Sequence, residues 1–244
     1  MKMKNVADYL LPADAEPEQI KNVIDRETDL LRMMETQMQA LPSNDSKEKT
    51  LLEEWNLSIT PVNNEKELRQ IKRHMGHSAD CFSKAFRVKN SNRDNAFWNY
   101  YDKHNYHKED IHYWYHGSRN MNCLSILHNG LILNPKAPKV GHMFGYGIYL
   151  APKAKKSIGY TSLNGSFWVH GTSDTAYLFV MKTVYKSPYH VYTWTSGMKS
   201  LTKSRISPHD AVFAHAGTSL RNDEVVIFDD AQVTLQYIIE LKQQ

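Results

Sequence analysis

The chain is 244 residues long, 41% hydrophobic and 23% charged, with 11 glycines, 9 prolines and a formal net charge of +4. These proportions suit one large globular domain, or one domain plus a small appendage, and exclude collagen-like, low-complexity and wholly disordered chains. Two cysteines, Cys81 and Cys123, are too few for a disulfide framework, so a reducing compartment is expected. No run of roughly 18 apolar residues occurs, which argues against a membrane-spanning helix. The stretch after Met1–Val6 is polar and acidic and lacks the apolar centre of a secretory signal. A cytoplasmic protein without membrane attachment is expected.

The charge is unevenly spread. Residues 1–56 hold 7 Lys/Arg against 12 Asp/Glu, and residues 57–244 hold 23 against 14. From Leu131 to Arg221, 11 basic residues face only Asp174 and Asp210. A basic field concentrated on one third of a chain favours a phosphate-bearing ligand, dinucleotide or nucleic acid, although a solvated surface would look the same.

In chain order, Ile20, Val23, Ile24, Leu30, Leu31, Met34, Met38 and Leu41 recur at helical spacing and predict a helix over 17–41. Pro17 suits its first turn, and Pro42-Ser43-Asn44-Asp45 ends it. A short helix is expected from Lys47 to Trp55. Residues 1–56 thus read as an acidic helical arm, either cover for a core or a lid, dimerisation element or docking site. Leu57–Val62 alternates like a strand, and Pro61 suits an edge or a strand end. Residues 64–88 read as a helix with Leu68, Ile71, Met75, Phe82 and Phe86 inward. Strands are expected at Ile111–Tyr115, Gly147–Leu150, Ala176–Val184, His190–Thr193, Glu224–Phe228 and Gln232–Leu241, with short helices at Cys123–Asn129 and Lys153–Ser157. No βαβ period repeats, so an α+β fold over residues 57–244 is expected, not a doubly wound sheet.

Three strings stand out: Tyr115-His116-Gly117-Ser118-Arg119; Gly141-His142-Met143-Phe144-Gly145-Tyr146-Gly147-Ile148-Tyr149-Leu150-Ala151, followed by Ser157 and Tyr160; and Leu220 to Gln232, which contains Glu224. Together, in this order, they resemble the catalytic domain of the poly(ADP-ribose) polymerase family, whose transferases carry a His-Tyr-Glu triad. The resemblance covers roughly residues 57–244. It implies two packed, mainly antiparallel sheets with flanking helices, NAD⁺ as substrate and no metal.

Each residue has its own physical reading. Tyr149 and Tyr160 suit a slot for a cationic nicotinamide ring, because a cation over an aromatic face gains roughly 0.5–2 kcal/mol. Gly117 lets a carboxamide approach its backbone donor and acceptor without a Cβ in the way, and the Ser157 hydroxyl adds a bond to the same amide. The resemblance implies that His116 bonds a hydroxyl of the adenosine ribose; Ser118 and Arg119 follow on the turn, Arg119 towards that ribose or the diphosphate. Glu224 is the expected catalytic carboxylate. Cleaving the ribosyl–nicotinamide bond develops oxocarbenium character, which a fixed carboxylate on the 2′-hydroxyl stabilises. Strand alternation turns Asp223 to the opposite face. The stretch around Glu224 holds no Glu-x-Glu pair of the kind the arginine-modifying toxins use.

The donor-binding loop is expected at Asn134–Tyr146, with Lys136 and Lys139 near the diphosphate and, by resemblance, Met143 beginning the acceptor pocket. Lys199, Lys203, Arg205 and the turn Ala214–Thr218 lie in a loop that borders the acceptor in this family. His104, His107, His112 and His116 match no common zinc spacing. Glycines 141, 145 and 147 precede a strand and make no dinucleotide fingerprint. The expectation is a stand-alone microbial or phage enzyme that passes single ADP-ribose units to a macromolecule, protein or nucleic acid. Two alternatives remain: a toxin-like effector on RNA or DNA, held by an antitoxin partner through residues 1–56, and a catalytically inactive module that binds NAD⁺ or nucleic acid.

Overall fold

The computed structural model describes residues 49–133 and 143–243, with scattered positions between 17 and 32. The chain divides into two compact units, Met1–Asp45 and Ser46–Gln244. In the first, the described positions between 17 and 32 are helical. The rest of the expected helix over 17–41, and the donor-loop residues Asn134–His142 with Lys136 and Lys139, lie outside the described residues.

The second unit opens on α1 (Leu51–Glu54), which a reciprocal cap fixes. The Glu53 N–H donates to Thr50 Oγ1, and the Thr50 N–H donates to the Glu53 carboxylate at 2.8 Å. Trp55 is buried and stacks on His128 at 4.4 Å. The described residues 49–56 are part of this unit.

β1 (Leu57–Pro61) pairs with β2 (Phe82–Asn90) and forms one edge of a five-stranded sheet, the place its proline requires. α2 (Glu65–Met75) starts at Asn64, whose side chain accepts the Glu67 N–H, and buries Ile71 and Met75. The single helix expected over 64–88 is incorrect. Gly76 takes φ 61° and closes α2, and after a 3₁₀ turn Phe82–Asn90 runs as strand. Phe82, Phe86 and Val88 fit both periods over a short window, and cross-strand pairing decides for the strand. α3 (Ser91–Lys103), capped by Asn90 and not expected from sequence, buries Phe97 and Tyr100.

β3 (Ile111–Gly117), β5 (Thr175–Val184) and β9 (Val233–Lys242) complete the sheet, whose order is β1-β2-β9-β5-β3 and whose neighbours are all antiparallel. Between them come α4 (Cys123–Asn129) and α5 (Ala154–Ile158). A second sheet has the order β4-β8-β7-β6 and comprises β4 (Ile148–Leu150), β6 (Pro188–Val191), β7 (Ala211–Ala214) and β8 (Glu224–Ile227). Only β6 and β7 run parallel within it.

Apolar clusters underlie both sheets. Ile71, Met75, Tyr115, Leu178, Ile239 and Leu241 pack between the larger sheet and α2 and α5. Phe144, Val191, Ile206, Val212, Val226 and Phe228 fill the smaller one. Each fully buried side chain of this size stabilises the fold by about 1.5–3 kcal/mol. The result is the expected α+β class with two mainly antiparallel sheets. Among the described residues no helix is long and apolar enough to cross a membrane.

Candidate active site

Two strand pairings build the site. The ends of β3 and β4 exchange a reciprocal pair of backbone bonds: Tyr115 N–H to Ala151 O and Ala151 N–H to Tyr115 O, both 2.9 Å. This bridge stitches the larger sheet to the smaller one. It sets His116, the next residue of β3, beside Tyr149 of β4. β4 in turn pairs antiparallel with β8, Tyr149 opposite Val226 and Leu150 opposite Val225. Continuing that register puts Glu224, the first residue of β8, level with Ala151. Residues separated by more than a hundred positions thus meet along one seam.

His116 donates from Nδ1 to the Tyr149 carbonyl at 3.0 Å. That bond leaves the lone pair of Nε2 free to accept from a ligand hydroxyl. Burial holds the imidazole below its ordinary pKa, only partly offset by the carbonyl, so the ring is neutral near pH 7. The Tyr149 hydroxyl donates to Gly145 O at 2.8 Å and accepts from Phe144 N–H at 2.9 Å. Both bonds tie the ring to the turn before β4, where Phe144 is fully buried. Burial, reinforced by the Glu224 charge, raises the Tyr149 phenol well above its ordinary value. Burial and Glu224 also push the Tyr160 phenol up to about 12. The carboxylate therefore acts electrostatically on both tyrosines of the expected ring slot.

Gly117 lies against α5: a Cβ there would collide with the Ser157 carbonyl, so only glycine fits. The Ser157 hydroxyl donates to Tyr115 O at 3.0 Å and keeps its lone pairs for an incoming amide. The end of β3 thus lies against the last turn of α5, the place expected for the carboxamide. Ser118 Oγ accepts from Asn122 Nδ2 at 2.9 Å, and the Arg119 carbonyl accepts the Asn122 N–H. These two residues cap the turn after β3.

Sequence reasoning missed Lys156. Its ammonium lies 2.6 Å from Glu224 Oε1, with side-chain exposures of 10% and 12%. The same group donates to Asn222 O at 3.4 Å. Burial lowers the lysine's pKa, and Glu224 and Asp223 oppose that shift. Lys156 was visible only as one of three lysines before Ser157, and nothing local ties it to a residue sixty-eight positions later. A second missed residue is Trp168, whose ring stacks on Tyr160 at 5.8 Å and 18°. It backs the Tyr160 ring of the expected slot.

The basic side chains of the loop between β6 and β8 are engaged within the fold. Lys203 pairs with Asp229 at 2.6 Å, Arg205 binds the carbonyl and hydroxyl of Ser200, and Lys199 covers Trp194 at 5.6 Å. Met143 offers its carbonyl to Trp194 Nε1. Asp223 accepts from Ala216 N–H at 2.7 Å. His104, His112 and His116 bond three different backbone carbonyls. Among the described residues no group of three or more His, Cys, Asp or Glu is placed to hold a metal.

The two-sheet α+β fold, with a histidine, a tyrosine and a glutamate on one seam, defines the class to which this chain compares. A profile of the poly(ADP-ribose) polymerase catalytic domain matches residues 65–243. The chain therefore belongs to that family. It is 31% identical over 147 residues to a poly [ADP-ribose] polymerase of Drosophila melanogaster, covering 52% of this chain and 15% of that protein. It is 33% identical over 146 residues to that of Sarcophaga peregrina, with 52% and 15% covered. It is 47% identical over 57 residues to poly [ADP-ribose] polymerase 2 of Homo sapiens, with 22% and 10% covered. The alignments to the two insect proteins thus span less than a sixth of those relatives' own length.

Proposed function

We propose that the protein cleaves NAD⁺ at the ribosyl–nicotinamide bond, releases nicotinamide and transfers one ADP-ribose unit to a macromolecular acceptor. The observation that carries this reading is the seam on which β3, β4 and β8 align His116, Tyr149 and Glu224. The neutral His116 accepts from a donor hydroxyl through Nε2. Tyr149 and Tyr160 hold the cationic ring, and the backbone of Gly117 with Ser157 orients its carboxamide. As the C1′–N bond breaks, its electron pair neutralises the nicotinamide ring and positive charge develops on the ribose. Glu224 accepts from the 2′-hydroxyl and stabilises that charge. The acceptor's nucleophile then bonds to C1′, and its proton passes to the carboxylate or to water. Lys156 balances the buried charge of Glu224 before substrate arrives.

The test is release of labelled nicotinamide by the wild type and by Glu224→Gln, which keeps the side chain's shape and removes its charge. A drop of roughly 10²–10³-fold is expected, the size of losing one transition-state electrostatic contact. Equal release from both would remove Glu224 from the mechanism. No release from the wild type would leave a binding module without turnover. Mass spectrometry of the modified acceptor should find single ADP-ribose increments.

A further inference from the structure

Between Gly159 and Ser173 the chain projects a turn whose tip carries Phe167 and Trp168, 59% and 49% exposed. The rings meet edge to face at 4.6 Å. The turn that presents them is internally bonded. Trp168 N–H donates to Gly159 O at 2.9 Å, Ser173 N–H to Ser162 O at 2.9 Å and Gly171 N–H to Ser166 Oγ at 2.8 Å. Two large adjacent rings held out into water are unusual on a soluble surface and mark a contact site.

Their surroundings say what kind. The Arg221 guanidinium lies 5.8 Å from the centre of the Phe167 ring, three residues before Glu224. Trp168 stacks on Tyr160, which senses the Glu224 charge, so the aromatic tip adjoins the catalytic seam. From Ala151 to Ser173 the sequence holds Lys153, Lys155 and Lys156 and no acidic residue, and Lys153 and Lys155 are exposed. The nearby carboxylates are engaged, Asp223 by the Ala216 N–H and Glu224 by Lys156. Exposed flat rings beside a guanidinium, in an acid-free basic stretch, match a strand of stackable bases joined by phosphates. A protein acceptor offers no regular series of either.

We propose that Phe167, Trp168 and Arg221 form an acceptor subsite for an unpaired base of a single-stranded nucleic acid, delivering the strand to Glu224. The subsite rests on the transferase reading only for what happens to the strand after it binds. Phe167 and Arg221 take no part in gripping NAD⁺, which allows the two to be tested apart.

The experiment titrates fluorescent single-stranded oligonucleotides, one deoxy and one ribo, into wild type, Phe167→Ala and Phe167→Trp and follows anisotropy. Nicotinamide release without oligonucleotide is measured on the same three proteins. The wild type should bind at least one oligonucleotide, more weakly as salt rises. Phe167→Ala should weaken binding at least about fivefold, since stacking contributes 1–3 kcal/mol per base. Phe167→Trp should retain binding, and all three proteins should release nicotinamide equally. Phe167-dependent binding in a protein that releases no nicotinamide would sink the transferase reading and leave the subsite standing. Nicotinamide release with oligonucleotide binding that ignores Phe167, or with ADP-ribose found on protein alone, would overturn the subsite.

Discussion

Glu224 and Lys156 show how much of a site is decided between two side chains. Each is about nine-tenths buried, and together they form an ion pair of 2.6 Å. Burying two charges is costly, and their mutual attraction offsets most of that cost only while both are present. Lys156→Met should therefore leave an uncompensated carboxylate and lower unfolding free energy by about 3 kcal/mol. Glu224→Gln in the same background should restore much of the loss, because no lone charge then remains. Denaturant midpoints of the wild type, both single variants and the double variant close this cycle. Additive losses would mean that the two groups do not act as a pair. In the sequence Glu224 was singled out by the resemblance of its string to the family, and the apolar strand that follows made a defined position plausible. Lys156 carries no such local signal: among neighbouring lysines, only the fold selects the one whose ammonium reaches β8.

At the scale of elements, the site is a matter of register and of one close backbone approach. Most strands were legible because they alternate and end at turn residues, and Cys123–Asn129 was placed without error. The stretch 64–88 failed for a physical reason. Its first half has helical spacing, but Gly76 stops the helix, and β2 draws its strand from partners on β1 and β9 that no local pattern names. α3 was overlooked because its polar residues blur its amphipathic face. Gly117 was legible as a place needing room, and the structure supplies the reason in the Ser157 carbonyl. Gly117→Ala should force β3 and α5 apart, since backbone cannot step aside as a side chain end can. A stability loss of about 1–3 kcal/mol is expected, the usual cost of overpacking. KM for NAD⁺ should rise more than kcat falls, because the defect lies in the carboxamide subsite and not at Glu224. Thermal denaturation together with nicotinamide-release kinetics checks both halves, and an unchanged KM would place the carboxamide elsewhere.

At the scale of the second unit, a reciprocal backbone pair between Tyr115 and Ala151 joins the two sheets near the site. His116 and Gly117 sit on the larger sheet, Tyr149 and Glu224 on the smaller one. A dinucleotide gripped by both would add ties across that seam and would bind the folded state alone. Linkage then requires stabilisation that grows with the logarithm of ligand concentration, about 2.7 kcal/mol at a hundred times Kd. For a unit of this size, roughly 2–4 °C accompanies each kcal/mol, so saturating NAD⁺ should raise Tm by about 5–10 °C. Glu224→Gln should retain most of this shift, because the carboxylate acts chiefly as positive charge develops on the ribose. Gly117→Ala should lose it, because the ground-state grip on the carboxamide fails. Differential scanning calorimetry at several NAD⁺ concentrations separates the two variants. A shift lost in Glu224→Gln and kept in Gly117→Ala would reverse the roles assigned to the two sheets.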